Sequence, residues 1–224
     1  WCRRVKAILP STKKMSRAMK RYRINEIFYS LQGEGRNTGR AAVFVRFSGC
    51  NLACSFCDTD FRAYREMTSD EVVNTVKGIL PSFVDNRSGE GVGTARSSVL
   101  VVLTGGEPTL QVDFDLIDAL HHAGFPEVAM ESNGTKEPPP NLDWLTVSPK
   151  EQVSVNRCNE LKCLFDESGR ADDCGIRADF YYLQPCDTGD PVRNAEIIAA
   201  CTKYIKRHPK WQLSLQTHKL IGFK

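Results

Sequence analysis

The sequence predicts an α/β fold, a shortened and partly open parallel (β/α) barrel of about six strands with few helices. Three observations predict it. Short apolar runs rich in Val, Ile and Phe alternate with stretches of helical spacing. The later runs are joined by segments too short or too proline-rich for helices, Pro138-Pro139-Pro140 among them. The 224 residues also fall short of the roughly 250 that a complete eightfold barrel takes.

The chain opens on a segment unlike the rest. Residues 1–23 carry nine Lys or Arg and no acid, which leaves 21 of the 30 basic side chains against all 27 acids, a balance of −6. The overall +3 is therefore a property of the start, not of the body. We expect residues 1–19 to be a disordered basic extension and residues 20–224 to form one domain. A nucleic-acid reader needs its positive charge on the folded surface, so no direct nucleic-acid partner is expected. No apolar run approaches the roughly 20 residues that span a bilayer, which points to a cytoplasmic protein with no membrane partner.

Seven runs read as strands buried on both faces: Ala42–Ser48, Ser98–Thr104, Glu127–Glu131, Trp144–Ser148, Glu160–Phe165, Phe180–Gln184 and Gln212–Gln216. Three stretches read as helices. Thr68–Leu80 opens Thr68-Ser69-Asp70-Glu71, a capping-box pattern, and sets Val72, Val73, Val76 and Leu80 on one side. Asp113–Ala123 and Asp190–Arg207 are the others, and Pro81–Ser97 reads as a surface loop.

The unusual polar motifs nearly all follow the C-terminal end of an expected strand. They are Ser48-Gly49-Cys50, Thr104-Gly105-Gly106-Glu107-Pro108, Glu131-Ser132-Asn133-Gly134-Thr135, Ser148-Pro149-Lys150, Gln184-Pro185 and Gln216-Thr217-His218-Lys219. In parallel α/β architectures the loops at that edge converge on one mouth, where ligands bind and chemistry occurs. Six motifs on one rim indicate an enzyme.

Nine cysteines without a secretory signal argue against a disulfide framework. Cys158, Cys163, Cys174, Cys186 and Cys201 lack ligand spacing and read as mostly structural. Cys50-x3-Cys54-x2-Cys57 differs, because three thiolates in one short loop suit an iron–sulfur cubane with one iron left open to a small ligand. The competing reading is a zinc-stabilised binding module, but zinc prefers paired C-x2-C units and four protein ligands, and no second pair or nearby His supplies them.

The loop Cys50-Asn51-Leu52-Ala53-Cys54-Ser55-Phe56-Cys57-Asp58-Thr59, followed one strand later by Gly105-Gly106-Glu107-Pro108, resembles the two signatures of the radical S-adenosylmethionine (SAM) superfamily. A closer resemblance runs along nearly the whole chain from Lys20. Phe28-Tyr29-Ser30-Leu31-Gln32-Gly33-Glu34-Gly35, Arg46, the Cys50–Asp60 loop and the rim motifs are similar to the 7-carboxy-7-deazaguanine synthase family. That resemblance implies a radical SAM partial-barrel domain at 20–224 and a carbon–nitrogen lyase. Family members rearrange 6-carboxy-5,6,7,8-tetrahydropterin to 7-carboxy-7-deazaguanine with loss of ammonia, in the queuosine and deazapurine route to tRNA modification. It further implies a [4Fe–4S] cluster, SAM, Mg²⁺, a homodimer and an external electron donor such as flavodoxin or ferredoxin.

Residue by residue, the resemblance implies that Cys50, Cys54 and Cys57 hold the cluster and that the Thr59 hydroxyl ligates Mg²⁺ with the substrate carboxylate. SAM would meet Phe56, Asp58, Gly106, Glu107, Ser132, Ser148, Pro149, Lys150, Gln184 and Asp187. The glycines would let backbone approach the ligand, and Glu107 would accept from its ammonium. The pterin would meet Leu31, Gln32, Gly33, Glu34, Arg46, Thr104 and His218, with Arg46 gripping its carboxylate and Gln32–Glu34 meeting its amide and amine edge. No catalytic side chain beyond the cofactor-held radical is implied. The ending Leu220-Ile221-Gly222-Phe223-Lys224 departs from the family pattern, in which the terminal carboxylate reaches the substrate, so whether this C-terminus contacts substrate is left open. A glycyl-radical-enzyme activase is the alternative enzyme with the same cysteine spacing.

Overall fold

A computed structural model describes residues 20–54, 63–81, 98–150 and 152–224. The expected extension at 1–19 and nearly all of the Pro81–Ser97 loop lie outside the described residues. One sheet of nine strands dominates the described part. In chain order the strands are β1 (Tyr22–Leu31), β2 (Ala41–Phe47), β3 (Arg65–Met67), β4 (Leu100–Gly105), β5 (Val128–Ser132), β6 (Trp144–Val147), β7 (Arg157–Phe165), β8 (Arg177–Pro185) and β9 (Trp211–Leu213). The order across the sheet is β3-β1-β2-β4-β5-β6-β7-β8-β9. From β2 through β9 every pairing is parallel, whereas β1 pairs antiparallel with both β2 and β3.

The seven expected strands are thus present as β2 and β4–β9, in an open parallel sheet. The sheet is larger than the expected six or so because an antiparallel pair, β1 and β3, is added at one edge. Helices α1 (Ser69–Ile79), α2 (Phe114–His122) and α3 (Pro191–Arg207) match the three expected ones, and a short α4 (Thr217–Ile221) follows β9. The capping box forms: Glu71 N–H donates to Thr68 Oγ1 at 3.3 Å and Thr68 N–H donates to the Glu71 carboxylate at 2.8 Å. No helix among the described residues is long and apolar enough to cross a membrane.

Period-two alternation divides the sheet into two faces. Val43, Val45 and Phe47 of β2, Val101 and Leu103 of β4, and Leu161, Cys163 and Phe165 of β7 join one core with Val72 and Val76 of α1, Leu116, Ile117 and Leu120 of α2, and Ile197 and Cys201 of α3. On the other face Phe28, Phe44, Leu100 and Val102 form a smaller apolar floor. Above that floor the same face turns polar toward the strand ends: Arg46, Thr104, Glu131, Lys162 and Gln184 all line a cleft there. Hydrophobic burial on the helix side therefore leaves the inner face free for chemistry.

Candidate active site

The cleft encloses about 1080 Å³ at the C-terminal edge of the parallel strands. That matches or exceeds the roughly 300–1,000 Å³ of small-molecule sites and suits a cofactor with a substrate beside it.

One wall is made of backbone. Gly106 N–H donates to Phe47 O and Glu107 N–H to Gly49 O, both at 2.9 Å, so the end of β4 is docked on the chain entering the Cys50 loop. A Cβ on Gly106 would collide with the Gly49 carbonyl, and one on Gly105, which has φ +111°, with the Phe47 backbone. The glycines are therefore required by chain against chain, rather than only by the approach of a ligand. Asn51 extends the docking: its amide donates to Thr135 Oγ1 at 2.9 Å and its side-chain oxygen accepts from Asn133 Nδ2 at 3.0 Å. Cys50 and Cys54 are free thiols lining the cleft beside Gly105 and Gly106.

Glu107 stands apart from the other expected site residues. It is fully buried and does not line the cleft. Its carboxylate accepts from Thr109 N at 3.1 Å, Thr109 Oγ1 at 2.6 Å, Ser132 Oγ at 2.9 Å and Asn133 N at 2.7 Å. Those four donors tie the ends of β4 and β5 together, while Gly105 and Gly106 of the same motif line the cleft.

The opposite wall is made of charges. The loop after β1 carries Glu34, whose carboxylate is ion-paired with Lys162 Nζ of β7 and accepts from Gln216 Nε2 at 2.9 Å. Burial opposes ionisation of Glu34, but the Lys162 ammonium and these donors outweigh it and hold the carboxyl below its ordinary range. Burial likewise opposes the charge on Lys162, yet Glu34 and Glu131 hold its ammonium above the usual lysine range. Lys150 goes the other way: burial and the Lys162 charge depress it. Burial raises the Glu160 carboxyl, although Arg36 N–H donates to it at 2.9 Å. Gly35, with φ +64°, packs so close to Glu160 that a Cβ there would run into the carboxylate.

Around these charges further polar residues of the cleft converge. Glu131 accepts from Gln32 Nε2 at 3.1 Å and from Thr104 Oγ1 at 2.8 Å, binding both to one carboxylate. Arg46 is ion-paired with Glu26 at 3.1 Å and sits over the Phe28 ring at 5.5 Å. Thr217 N–H and Oγ1 both donate to Gly33 O, at 3.0 and 2.8 Å, and seat His218 of α4 against Gly33. Asp187 pairs with Lys219 at 2.9 Å, and that hydrogen bond leads the effects holding its carboxyl down at about 2.

Of the expected site residues, Leu31, Gln32, Gly33, Glu34, Arg46, Cys50, Cys54, Thr104, Gly106, Ser132, Ser148, Lys150, Gln184, Asp187 and His218 line this cleft together. Pro149 does not, although both its neighbours do. Phe56, Cys57, Asp58 and Thr59 lie outside the described residues. Glu131 and Gln216, which stand in the rim motifs, and Lys162 and Lys224 also line the cleft, although none of them had been given a role. Lys162 had a signal, since Glu160 and Lys162 alternate in a strand that should be apolar on both faces. Lys224 reaches back to Glu26 at 2.5 Å and lies over Phe28 at 4.6 Å, which brings the end of the chain to the cleft. Cys186, read as structural, also lines the cleft.

Comparison with known proteins agrees with this geometry. Residues 44–147 match the Radical SAM superfamily. The chain is 44% identical over 204 residues to a 7-carboxy-7-deazaguanine synthase of Bacteroides thetaiotaomicron, covering 90% of this chain and 98% of that protein. A protein of the same name from Bradyrhizobium diazoefficiens is 40% identical over 224 residues, covering 91% and 99%. The crystal structure of QueE from Escherichia coli superposes with a TM-score of 0.62 at 28% identity, over 87% of this chain and 93% of that one.

Proposed function

Because the chain belongs to the 7-carboxy-7-deazaguanine synthase family of radical SAM enzymes, we propose that its cleft binds SAM against the backbone wall and a carboxylated tetrahydropterin against the charged wall. The enzyme is a radical SAM lyase of deazapurine biosynthesis. It contracts the ring of 6-carboxy-5,6,7,8-tetrahydropterin and releases ammonia to give 7-carboxy-7-deazaguanine. The observation that carries the reading is that Cys50, Cys54, Gly106, Arg46, Glu34 and His218 line one cleft.

The residues fit the implied groups. Cys50 and Cys54, with Cys57, would hold the [4Fe–4S] cluster, and three thiolates leave one iron for SAM. The cluster and SAM, when bound, supply the carbon-centred radical that starts the rearrangement. The rest falls to the polypeptide. Gly105 and Gly106, held flat on the Cys50 loop, present backbone to the cofactor, while Ser132, Ser148, Lys150, Gln184 and Asp187 offer polar groups to its amino acid and ribose ends. Arg46, beside Glu26 in the cleft, carries the planar guanidinium fork that suits a substrate carboxylate. Gln32 and Thr104, both donating to Glu131, fix the amide-reading edge, and His218 closes the mouth.

The proposal extends to Mg²⁺ on Thr59 and the substrate carboxylate, since magnesium keeps few protein ligands. It extends also to a homodimer, to a flavodoxin- or ferredoxin-like electron donor, to a cytoplasmic setting and to product use in tRNA modification. The test is anaerobic incubation of the cluster-reconstituted protein with 6-carboxy-5,6,7,8-tetrahydropterin, SAM, reductant and Mg²⁺. Deazaguanine formed over many turnovers, with little 5′-deoxyadenosine, is expected. An intact cluster with no deazaguanine product would overturn the reading.

A further inference from the structure

We propose that Lys162 is a positioning residue for substrate: its buried ammonium orients the Glu34 carboxylate toward the N–H edge of the pterin ring. The proposal rests on the functional reading above. Lysine is almost never buried without a partner, and here only 8% of the side chain is exposed, against 15% for Glu34. Glu34 comes from the loop after β1 and Lys162 from the middle of β7, so the pair crosses the cleft between elements 128 residues apart. Stability does not account for it, because a buried ion pair gives little over an apolar pair of the same volume.

The geometry gives the pair a use. An ionised carboxylate offers about four acceptor positions. Among the described residues Lys162 takes one on Oε2 and Gln216 one on Oε1, which leaves each oxygen a further acceptor position. What remains is a flat pair of acceptors in the cleft. A pterin presents the complement on one edge, a ring amide N–H beside an exocyclic amine. Protonated, Glu34 would place a donor against those donors, so the edge is read only while the carboxyl is ionised. The groups facing it divide: Lys162 and Lys150 favour the charge, and His218 does when protonated, whereas Glu131 and Glu160 crowd the site with negative charge. With Lys162 removed, burial and the two acids would favour the neutral form.

The experiment compares wild type, Lys162→Met and the double variant Glu34→Gln/Lys162→Met, each full-length and cluster-reconstituted, in steady-state turnover of the carboxytetrahydropterin across pH. Lys162→Met should raise KM on the order of 10- to 100-fold, the worth of charge-assisted hydrogen bonds. It should also add a limb on which kcat/KM falls as pH falls. The double variant strands no buried charge and should melt with wild type, lose the new acid limb and keep the raised KM. Should Lys162→Met alone fail to fold, Lys162→Gln, which keeps a donor to Glu34 but no charge, takes its place, with the same raised KM and new acid limb expected. Wild-type KM in the double variant, or unchanged KM and pH profile in Lys162→Met, overturns the inference while wild-type turnover stands. A wild-type protein that makes no deazaguanine overturns the functional reading, and this inference with it.

Discussion

The two walls of the cleft are built on opposite principles. The cofactor wall is backbone on backbone, with Gly105–Gly106 laid on Phe47–Gly49, Asn51 tied to Asn133 and Thr135, and one buried carboxylate, Glu107, gathering four donors. The substrate wall is charge on charge, with Glu34 on Lys162, Arg46 on Glu26, and Glu131 holding Gln32 and Thr104. Steric contacts tolerate no added atom but ignore pH. Ionic contacts tolerate changes of shape but fail when a proton arrives or a partner leaves. The difference would suit the proposed ligands: SAM in a pocket fixed by geometry, and an anionic, hydrogen-bonding pterin selected by charge.

Substitutions on either wall can break that contrast. The largest effect is expected at the cluster: Cys54→Ala should lose iron on anaerobic reconstitution and lower turnover on the order of 1,000-fold or more. Iron content with product assay checks it, and a Cys54→Ala protein with full iron would remove Cys54 from the ligand set. Next comes Gly106→Ala. Its methyl meets the Gly49 carbonyl, so the Cys50 loop must shift, and a displacement near 1 Å costs about 100-fold in rate. Unchanged kcat in Gly106→Ala would show that the backbone wall can yield.

On the charged wall, Arg46→Lys keeps the charge but loses the fork, and should raise the pterin KM about tenfold while KM for SAM stays put. Equal changes in both constants would deny Arg46 a place on the substrate side. Smallest is the pH dependence of stability. Glu34 is held below its ordinary 4.5, so its contribution is complete above that value and fades as pH falls beneath it. Lys162 is held above 10.5, so its contribution is complete below that value and fades as pH rises past it. Wild type should therefore lose a few °C of Tm at either extreme relative to Glu34→Gln/Lys162→Met, as differential melting across pH will read. Parallel Tm profiles would mean that the pair is not ionised as a unit.

The same division explains what could be read in advance. The parallel strands were legible because each is a short apolar run with a polar motif at its end, and α1 because Thr68 and Glu71 mark its start. Strand β1 was not. Its alternation of Tyr22 and Ile24 is broken by an irregularity in register between Ile24 and Glu26, which resets the face that the next residues present. With three residues, β3 is too short to carry a period. The backbone wall is local and motif-like, so Gly106, Ser132 and Ser148 stood out in the chain. The charged wall depends on partners far apart: nothing near Lys162 in sequence announces Glu34, and nothing near Gln32 announces Glu131. At Glu107 the motif showed that a carboxylate is present but not which donors it gathers.

Gly35 and Glu160 carry an evolutionary consequence. Alanine at 35 would strike the Glu160 carboxylate and strain a left-handed backbone. A shorter side chain at 160 would instead leave Arg36 N–H without its acceptor. Each single step is a loss, and only the two changes made together could restore a fit. Lineages descending from such a chain have no one-mutation exit, so the glycine and the glutamate should be inherited as a unit.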